Sequence, residues 1–207
     1  TQTKHDAKLA YRAHLITRTS EKLDRFFMMR DTLLSIVTND LSPIYYKKGA
    51  NEGGRYYVDE VWYSYLNGRI HIRQRYKNRD GIVTEKTYDS SKCLYDMMSM
   101  LLRARSFRAE DFRVGEKFQL PMADGHKVED VTLIYRGREN FQMKSNGTNY
   151  RCLVFSFVEY PDGEEKEIIR FYISDDMNHI PVRLDMYLRF GVAKAYLTNT
   201  KGLRHQK

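Results

Sequence analysis

The chain has 207 residues, with 35 basic side chains against 27 acidic ones, a formal charge of +8 at neutral pH. With 42% hydrophobic and 13% aromatic residues it can bury a sizeable core, which excludes wholesale disorder. No apolar run approaches the roughly 20 residues that cross a bilayer as a helix; the longest, around Met97 to Leu102, is interrupted by Ser99.

The first residues, Thr1-Gln2-Thr3, carry no initiator Met and no apolar leader. Removal of an export signal leaves such a start, as does an artificial one, and export is the expectation. Strands are expected at Lys8–Arg18, Phe27–Thr38 and Ile44–Lys48. Gly54 to Leu66 is dense in Tyr, Val and Trp, which suit a pleated surface. It turns through Asn67-Gly68, the strongest short hairpin signal, because both residues tolerate positive φ. The returning strand alternates Ile70, Ile72, Gln74 and Tyr76 with Arg69, His71, Arg73, Arg75 and Lys77, and another strand is expected at Ile82–Thr87.

One segment then breaks the period of two. Leu94, Met97, Met98, Leu101 and Leu102 recur at helical spacing, the stripe of an amphipathic helix over about 92–106. Ser90 or Ser91 would cap its start, and Arg103 and Arg105 suit its carboxyl end. Arg108 to Gly115 is charged and reads as a loop. Strands resume at Lys117–Leu120, Lys127–Gly137 and Cys152–Val158, with a turn at Asp162-Gly163. A hairpin joins Ile168–Ser174 to Ile180–Phe190 across Asp175-Asp176-Met177-Asn178. In its second strand Ile180, Val182, Leu184, Met186, Leu188 and Phe190 share one side, while Pro181, Arg183, Asp185, Tyr187 and Arg189 form a wet face. Val192–Asn199 is the last strand. No linker, charge block or internal repeat divides the chain. The fold class is therefore mainly β (α+β), a single domain over 1–207. One curved antiparallel sheet or half-open barrel of about ten strands carries one amphipathic helix, and its apolar inner face is either filled or left as a cavity.

Signals for chemistry are sparse. There is no glycine-rich phosphate loop in a strand-to-helix context. None of the six histidines pairs with another His or with Cys at metal-ligand spacing, so neither a metal site nor a cofactor is expected. His71 and His14 lie on cationic strand faces and read as solvated imidazoles. His179 abuts Asp175-Asp176, which suggests an acid–base pair or a Ca²⁺ loop. The turn falls short of the six oxygen ligands calcium wants, and Asp and Asn cap their own turns. No serine sits in a nucleophile elbow, and neither cysteine has a base nearby, so no catalytic residue is assigned. Cys93 and Cys152 could form one disulfide or remain buried thiols; the apolar alternation around Cys152 favours thiols. Asn146-Gly147-Thr148 is a glycosylation acceptor or simply a turn. Arg69, Arg73 and Arg75 share one strand face, and Arg183 and Arg189 another. Such stripes can attract an anionic membrane or glycan surface, although an outward-facing strand is normally charged and a plain solvated face is the simpler reading. Without a recognised nucleic-acid motif, no nucleic acid is expected as partner.

Leu94-Tyr95-Asp96-Met97-Met98-Ser99-Met100-Leu101-Leu102-Arg103 resembles the helical signature of the exported bacterial proteins of the domain of unknown function 3108 family. Val114-Gly115-Glu116-Lys117-Phe118 is similar to that family's "VGdkf" stretch. Asp175-Asp176-Met177-Asn178-His179-Ile180-Pro181-Val182-Arg183 is similar to its "sDDxxxiPVR" hairpin, and Gly191-Val192-Ala193-Lys194-Ala195 to its closing strand. With Arg30-Asp31, the similarity runs from about Ala7 to Asn199. The resemblance implies a periplasmic or envelope-associated protein of Gram-negative bacteria with its export signal removed. It also implies a curved antiparallel sheet similar to the half-barrel of lipoprotein carriers, which hold acyl chains.

The leading expectation is a non-enzymatic binding module holding an apolar, acyl-chain-like ligand against Trp62, Met97, Met98, Leu101, Leu184 and Met186. The alternative is a structural or protein-interaction component of the envelope with a filled barrel. A third is a hydrolase or glycan-modifying enzyme using Asp175, Asp176 or His179. The sequence sets no oligomeric state.

Overall fold

A computed structural model describes the chain except residues 7, 20, 26, 144–146, 189–190, 204 and 206–207. Arg189, Phe190 and the acceptor Asn146 lie outside the described residues. Among the described residues thirteen strands form two antiparallel sheets with no closed barrel, and within each sheet every strand lies beside its sequence neighbour. The first sheet is β1 (Gln2–His5), β2 (Lys8–Arg18), β3 (Met29–Thr38), β4 (Pro43–Glu52), β5 (Arg55–Leu66), β6 (Arg69–Lys77) and β7 (Val83–Ser90). The second is β8 (Lys117–Ala123), β9 (Val128–Gln142), β10 (Asn149–Glu159), β11 (Lys166–Ser174), β12 (Pro181–Leu188) and β13 (Gly191–Tyr196). A four-residue turn of helix, α1 (Glu21–Asp24), and a longer helix, α2 (Met97–Ala104), complete the regular elements described here.

The expected single sheet of about ten strands is thus corrected to sheets of seven and six. Hairpin turns propagate a meander only while they stay short. The long connection between β7 and β8, which carries α2, ends the first meander, and pairing restarts beyond it. Where turns are short the reading holds: Asn67 (φ 51°) and Gly68 (φ 72°) take the left-handed conformations that an Asn-Gly hairpin requires.

The chain divides into two compact units. Unit 1 is Thr1–Arg103 with Pro121–Asp130, and unit 2 is Ala104–Leu120 with Val131–Lys207. In unit 1 one face of the first sheet supplies Leu33, Tyr46, Val61, Tyr63, Ile70 and Ile72. Against these pack Leu94, Met97, Met98 and Leu101. The stripe read from the sequence is therefore core, but the helix is shorter than expected and neither Ser90 nor Ser91 caps it. Tyr95 is held extended, donating its N–H to Pro121 O (3.0 Å) and accepting from Ala123 N–H (2.8 Å). The helix can begin only after it. Asp96 is the cap: its carboxylate accepts from the N–H groups of Met98 (2.9 Å) and Ser99 (2.8 Å), while its own N–H donates to Ser99 Oγ (2.9 Å). That reciprocal pair is a capping box with Ser in the third position.

Asp96 is fully buried, and Ser35 Oγ also donates to it (3.1 Å). Burial pushes its carboxyl up to about 6 from an ordinary value of 3.8, against the hydrogen bonds from Ser99, Ser35 and Met98. Asp31, at the far end of the same face, is also pushed up to about 6, by burial first. A raised folded-state value means that the native chain binds protons more tightly than the unfolded one between about pH 4 and 6. Stability contributed by these carboxyls is complete below the lower value and is lost as pH rises through the upper one. The midpoint of urea unfolding is accordingly expected to rise as pH falls from 7 to about 5, and Asp96→Asn to flatten that slope. A midpoint that falls over this window would contradict the assignment.

Unit 2 buries Val154, Tyr172 and Val182 in one cluster and carries an aromatic group around Phe112, whose ring meets Phe118 at 4.9 Å and Phe155 at 6.2 Å. The expected charged loop 108–115 contains a single turn at Ala109–Asp111, with Phe112 as its apolar anchor. The expected wet face of β12 is also corrected. Asp185 is buried there, gripped by Arg183, whose guanidinium lies over the rings of Tyr172 (4.6 Å) and Phe141 (5.4 Å). Arg183 is a structural cation and not a free surface charge. Cys152 is a buried thiol as expected, whereas Cys93 is an exposed one.

Candidate functional site

Strand alternation sets the site. In β5, Tyr57, Asp59, Val61 and Tyr63 point to the core face of the first sheet, and register pairs Asp59 with Lys48 and Val61 with Tyr46 on the adjacent β4. Toward one end of this face the apolar packing gives way to a pocket of about 300 Å³. Its walls are Tyr46, Lys48, Tyr57, Asp59 and Tyr76 from the sheet, Met97 from α2, and Met122, Ala123, Asp124 and His126 from the segment that crosses the face from the end of β8 to the start of β9.

That crossing segment is clamped. Gln74, buried beneath it, donates through Nε2 to the carbonyls of Asp124 (2.6 Å) and Lys127 (2.8 Å). Asp124 Oδ1 accepts from the N–H groups of His126 and Lys127, both at 2.9 Å, closing a self-capped turn. Gly125 lies directly on β5: a Cβ there would stand 2.5 Å from Asp59 Cα. No side chain fits, so the turn approaches the strand as closely as backbone can.

Electrostatically the pocket has two halves. In the first, Lys48 Nζ donates to Tyr57 OH (2.6 Å) and Glu52 (3.0 Å). Burial works against the ammonium, but these two groups outweigh it and hold its pKa above the ordinary lysine value. Burial raises the Tyr57 hydroxyl to about 12. The second half is acidic. Asp59 is only 3% exposed, and burial, reinforced by the charge of Asp124, pushes its carboxyl up to about 6. His126 Nδ1 stands 3.4 Å from Asp59 Oδ1 and 3.2 Å from Asp124 Oδ1. Its ring lies 5.2 Å from that of Tyr76. Tyr46 is equally buried at 3% exposure, and its hydroxyl hydrogen-bonds to no described residue. Burial and the nearby carboxylates of Asp96, Asp59 and Asp124 raise that hydroxyl well above the ordinary tyrosine value.

Of the residues expected to line an apolar site, Met97 is in the pocket wall, while Met98 and Leu101 belong to the core beside it. Trp62 faces the opposite side of β5, 5.5 Å from Tyr45 and covered by Arg73 at 4.1 Å. Leu184 and Met186 are half-buried residues of unit 2. The cationic stripe of β6 is partly neutralised: Arg75 pairs with Glu60 (2.8 Å) and His71 with Asp89 (2.6 Å), leaving Arg69 and Arg73 exposed. Asp175 pairs with Arg138 (2.9 Å) and Arg151 (2.8 Å). Asp176 Oδ1 accepts from Ser174 Oγ, Asn178 N–H and His179 N–H within its turn. Sequence reasoning missed Asp59, Asp124 and His126. The available signal was Asp124-Gly125-His126, a carboxylate and an imidazole two residues apart around a glycine.

No curated protein and no solved structure matches the chain. Residues 1–198 match the model of the family described as "Protein of unknown function (DUF3108)". That match takes in both sheets and every residue of the pocket, and the chain belongs to this family.

Proposed function

We propose that the chain is a non-enzymatic binding module and that the pocket of unit 1 is its ligand seat. The observation that carries this reading is a cavity of about 300 Å³ into which a buried, unpartnered tyrosine hydroxyl and a buried carboxylate project. Buried polar groups in folded proteins are almost always satisfied, and those left over at a cavity are where a ligand completes the bonding. Met97, Met122 and Ala123 supply an apolar wall, so the ligand class is a small amphiphile: a short apolar chain on the methionines and a polar head toward Asp59 and Tyr46. Methionine's adaptable thioether suits a chain of variable shape. The engagement of Asp175 and Asp176 in ion pairs and turn caps favours binding over catalysis.

An envelope location belongs to the same proposal and rests on the resemblance to exported proteins. The alternative role as an interaction component draws on Val83 and Tyr88, exposed along the edge strand β7, and on Ile82 just before it.

Purified protein is expected to take up a fluorescent fatty acid saturably and to carry a lipid-mass adduct in native mass spectrometry. Met122→Trp, which fills the pocket from its half-buried rim, should abolish uptake while leaving the unfolding midpoint nearly unchanged. Absence of both adduct and uptake, or uptake unaffected by Met122→Trp, would overturn this seat.

A further inference from the structure

We infer that Asp59, Asp124 and His126 form a site for a divalent transition cation of zinc's class. The inference rests on reading this pocket as a ligand seat; it shares Asp59 with the polar end of that seat and uses none of its methionine wall.

The three side chains each offer one donor atom, and these atoms lie within 4.8 Å of one another. Their spacing separates two explanations. If His126 simply donated one N–H to the carboxylates, one contact near 2.9 Å would be expected, because a ring N–H points in a single direction. Instead the same nitrogen stands 3.2 Å from Asp124 Oδ1 and 3.4 Å from Asp59 Oδ1. Two ligands about 2.1 Å from a tetrahedral metal are separated by about 3.4 Å. These separations are those of the edges of a coordination shell, and the ring's hydrogen bond to Asp59 is a long one at 3.4 Å.

A second observation points the same way. Asp59, 3% exposed, has its other carboxylate oxygen on the pocket side, and that oxygen accepts no hydrogen bond from a described residue. A buried carboxylate is normally paired or bound to metal. The nearest lysine is not its partner, because Lys48 Nζ is committed to Tyr57 and Glu52.

The supporting shell is in place. Backbone N–H groups of His126 and Lys127 orient the Asp124 carboxylate, and Gln74 holds the turn by two carbonyls. Outer contacts of this kind orient ligands and are typical of metal centres. Two carboxylates and one neutral imidazole balance a divalent charge, and a mixed O,O,N set without thiolate suits Zn²⁺, Co²⁺ or Mn²⁺. Three protein ligands leave a fourth position open.

The test uses the intact, chelator-treated chain with metal alone and no lipid, so that failure to bind lipid leaves this inference standing. One equivalent of Zn²⁺ is expected by isothermal titration, with a rise in thermal midpoint. Co²⁺ should give the visible absorption of a four-coordinate ion. Asp59→Asn and His126→Gln should each weaken binding by about a hundredfold or more without lowering the midpoint of the metal-free protein. His71→Gln, at a half-buried imidazole paired with Asp89 on the same sheet, should leave binding unchanged. No uptake at stoichiometric Zn²⁺, or uptake that survives both ligand substitutions, would overturn the site. Retained metal binding in a chain that ignores fatty acid would overturn the amphiphile reading alone.

Discussion

Arg183→Met is expected to cost about 3–5 kcal/mol of folding stability, the range found when one partner of a buried ion pair is removed. Asp185 is 3% exposed, and Arg183 grips both its oxygens, with Nε donating to Oδ1 at 2.7 Å. Among the described residues no other cation reaches that carboxylate, so the truncated protein would bury a charge with nothing opposite it. The guanidinium also lies over the rings of Tyr172, Phe141 and Tyr196, and a flexible Met recovers some of that packing but none of the charge. Arg183→Lys should lose less, since the charge stays while the two-pronged grip goes. The double variant Arg183→Met with Asp185→Leu should recover most of the loss, because an apolar pair of similar volume often replaces a buried ion pair at little cost. Urea unfolding of the wild type, Arg183→Met, Asp185→Leu and the double variant gives the coupling directly. A loss under about 1 kcal/mol for Arg183→Met would mean that water reaches Asp185.

Arg183 also shows where strand alternation misleads. Counting by two placed Val182 on the buried side correctly, and placed Arg183 and Asp185 on a wet face. Period two reports which residues share a side but not whether that side meets solvent. A side covered by aromatics can carry charge if the charges pair within it. The same limit applied to Trp62, whose face of β5 is the one away from the pocket, and to Arg75, which is neutralised by Glu60 across the ladder. Strand positions themselves were legible because turn chemistry is local. Asn67-Gly68 and Asp162-Gly163 are both turns with positive φ, as their residue types demand. The helix was displaced because its start depends on Tyr95 bridging to Met122, a partner distant in the chain. Distance in sequence also hid the pocket. Asp59 and Asp124 come together only because the segment between β8 and β9 returns across the first sheet, and no spacing rule connects residues so far apart.

Gly125→Ala tests that return most directly. The added Cβ would stand 2.3 Å from Asp59 Oδ1, 2.5 Å from its Cα and 2.6 Å from its Cβ. Flexible side-chain ends can move aside, but the Asp59 backbone lies in β5, hydrogen-bonded between β4 and β6, and cannot. The turn must lift instead. Lifting stretches both Gln74 bonds to it and strands a buried amide, so a loss of about 2–3 kcal/mol is expected from overpacking and unsatisfied bonding together. Gly49→Ala is the control: nothing lies within 4 Å of its Cβ, and a change within about 0.5 kcal/mol is expected there. The functional consequence is separable from the stability loss. At a temperature where Gly125→Ala remains folded, lifting the turn by even 1 Å moves Asp124 and His126 away from Asp59, and Zn²⁺ affinity should fall while Gly49→Ala retains it. If Gly125→Ala kept both its stability and its metal affinity, the close approach of turn to strand would be refuted, and with it the three-residue site.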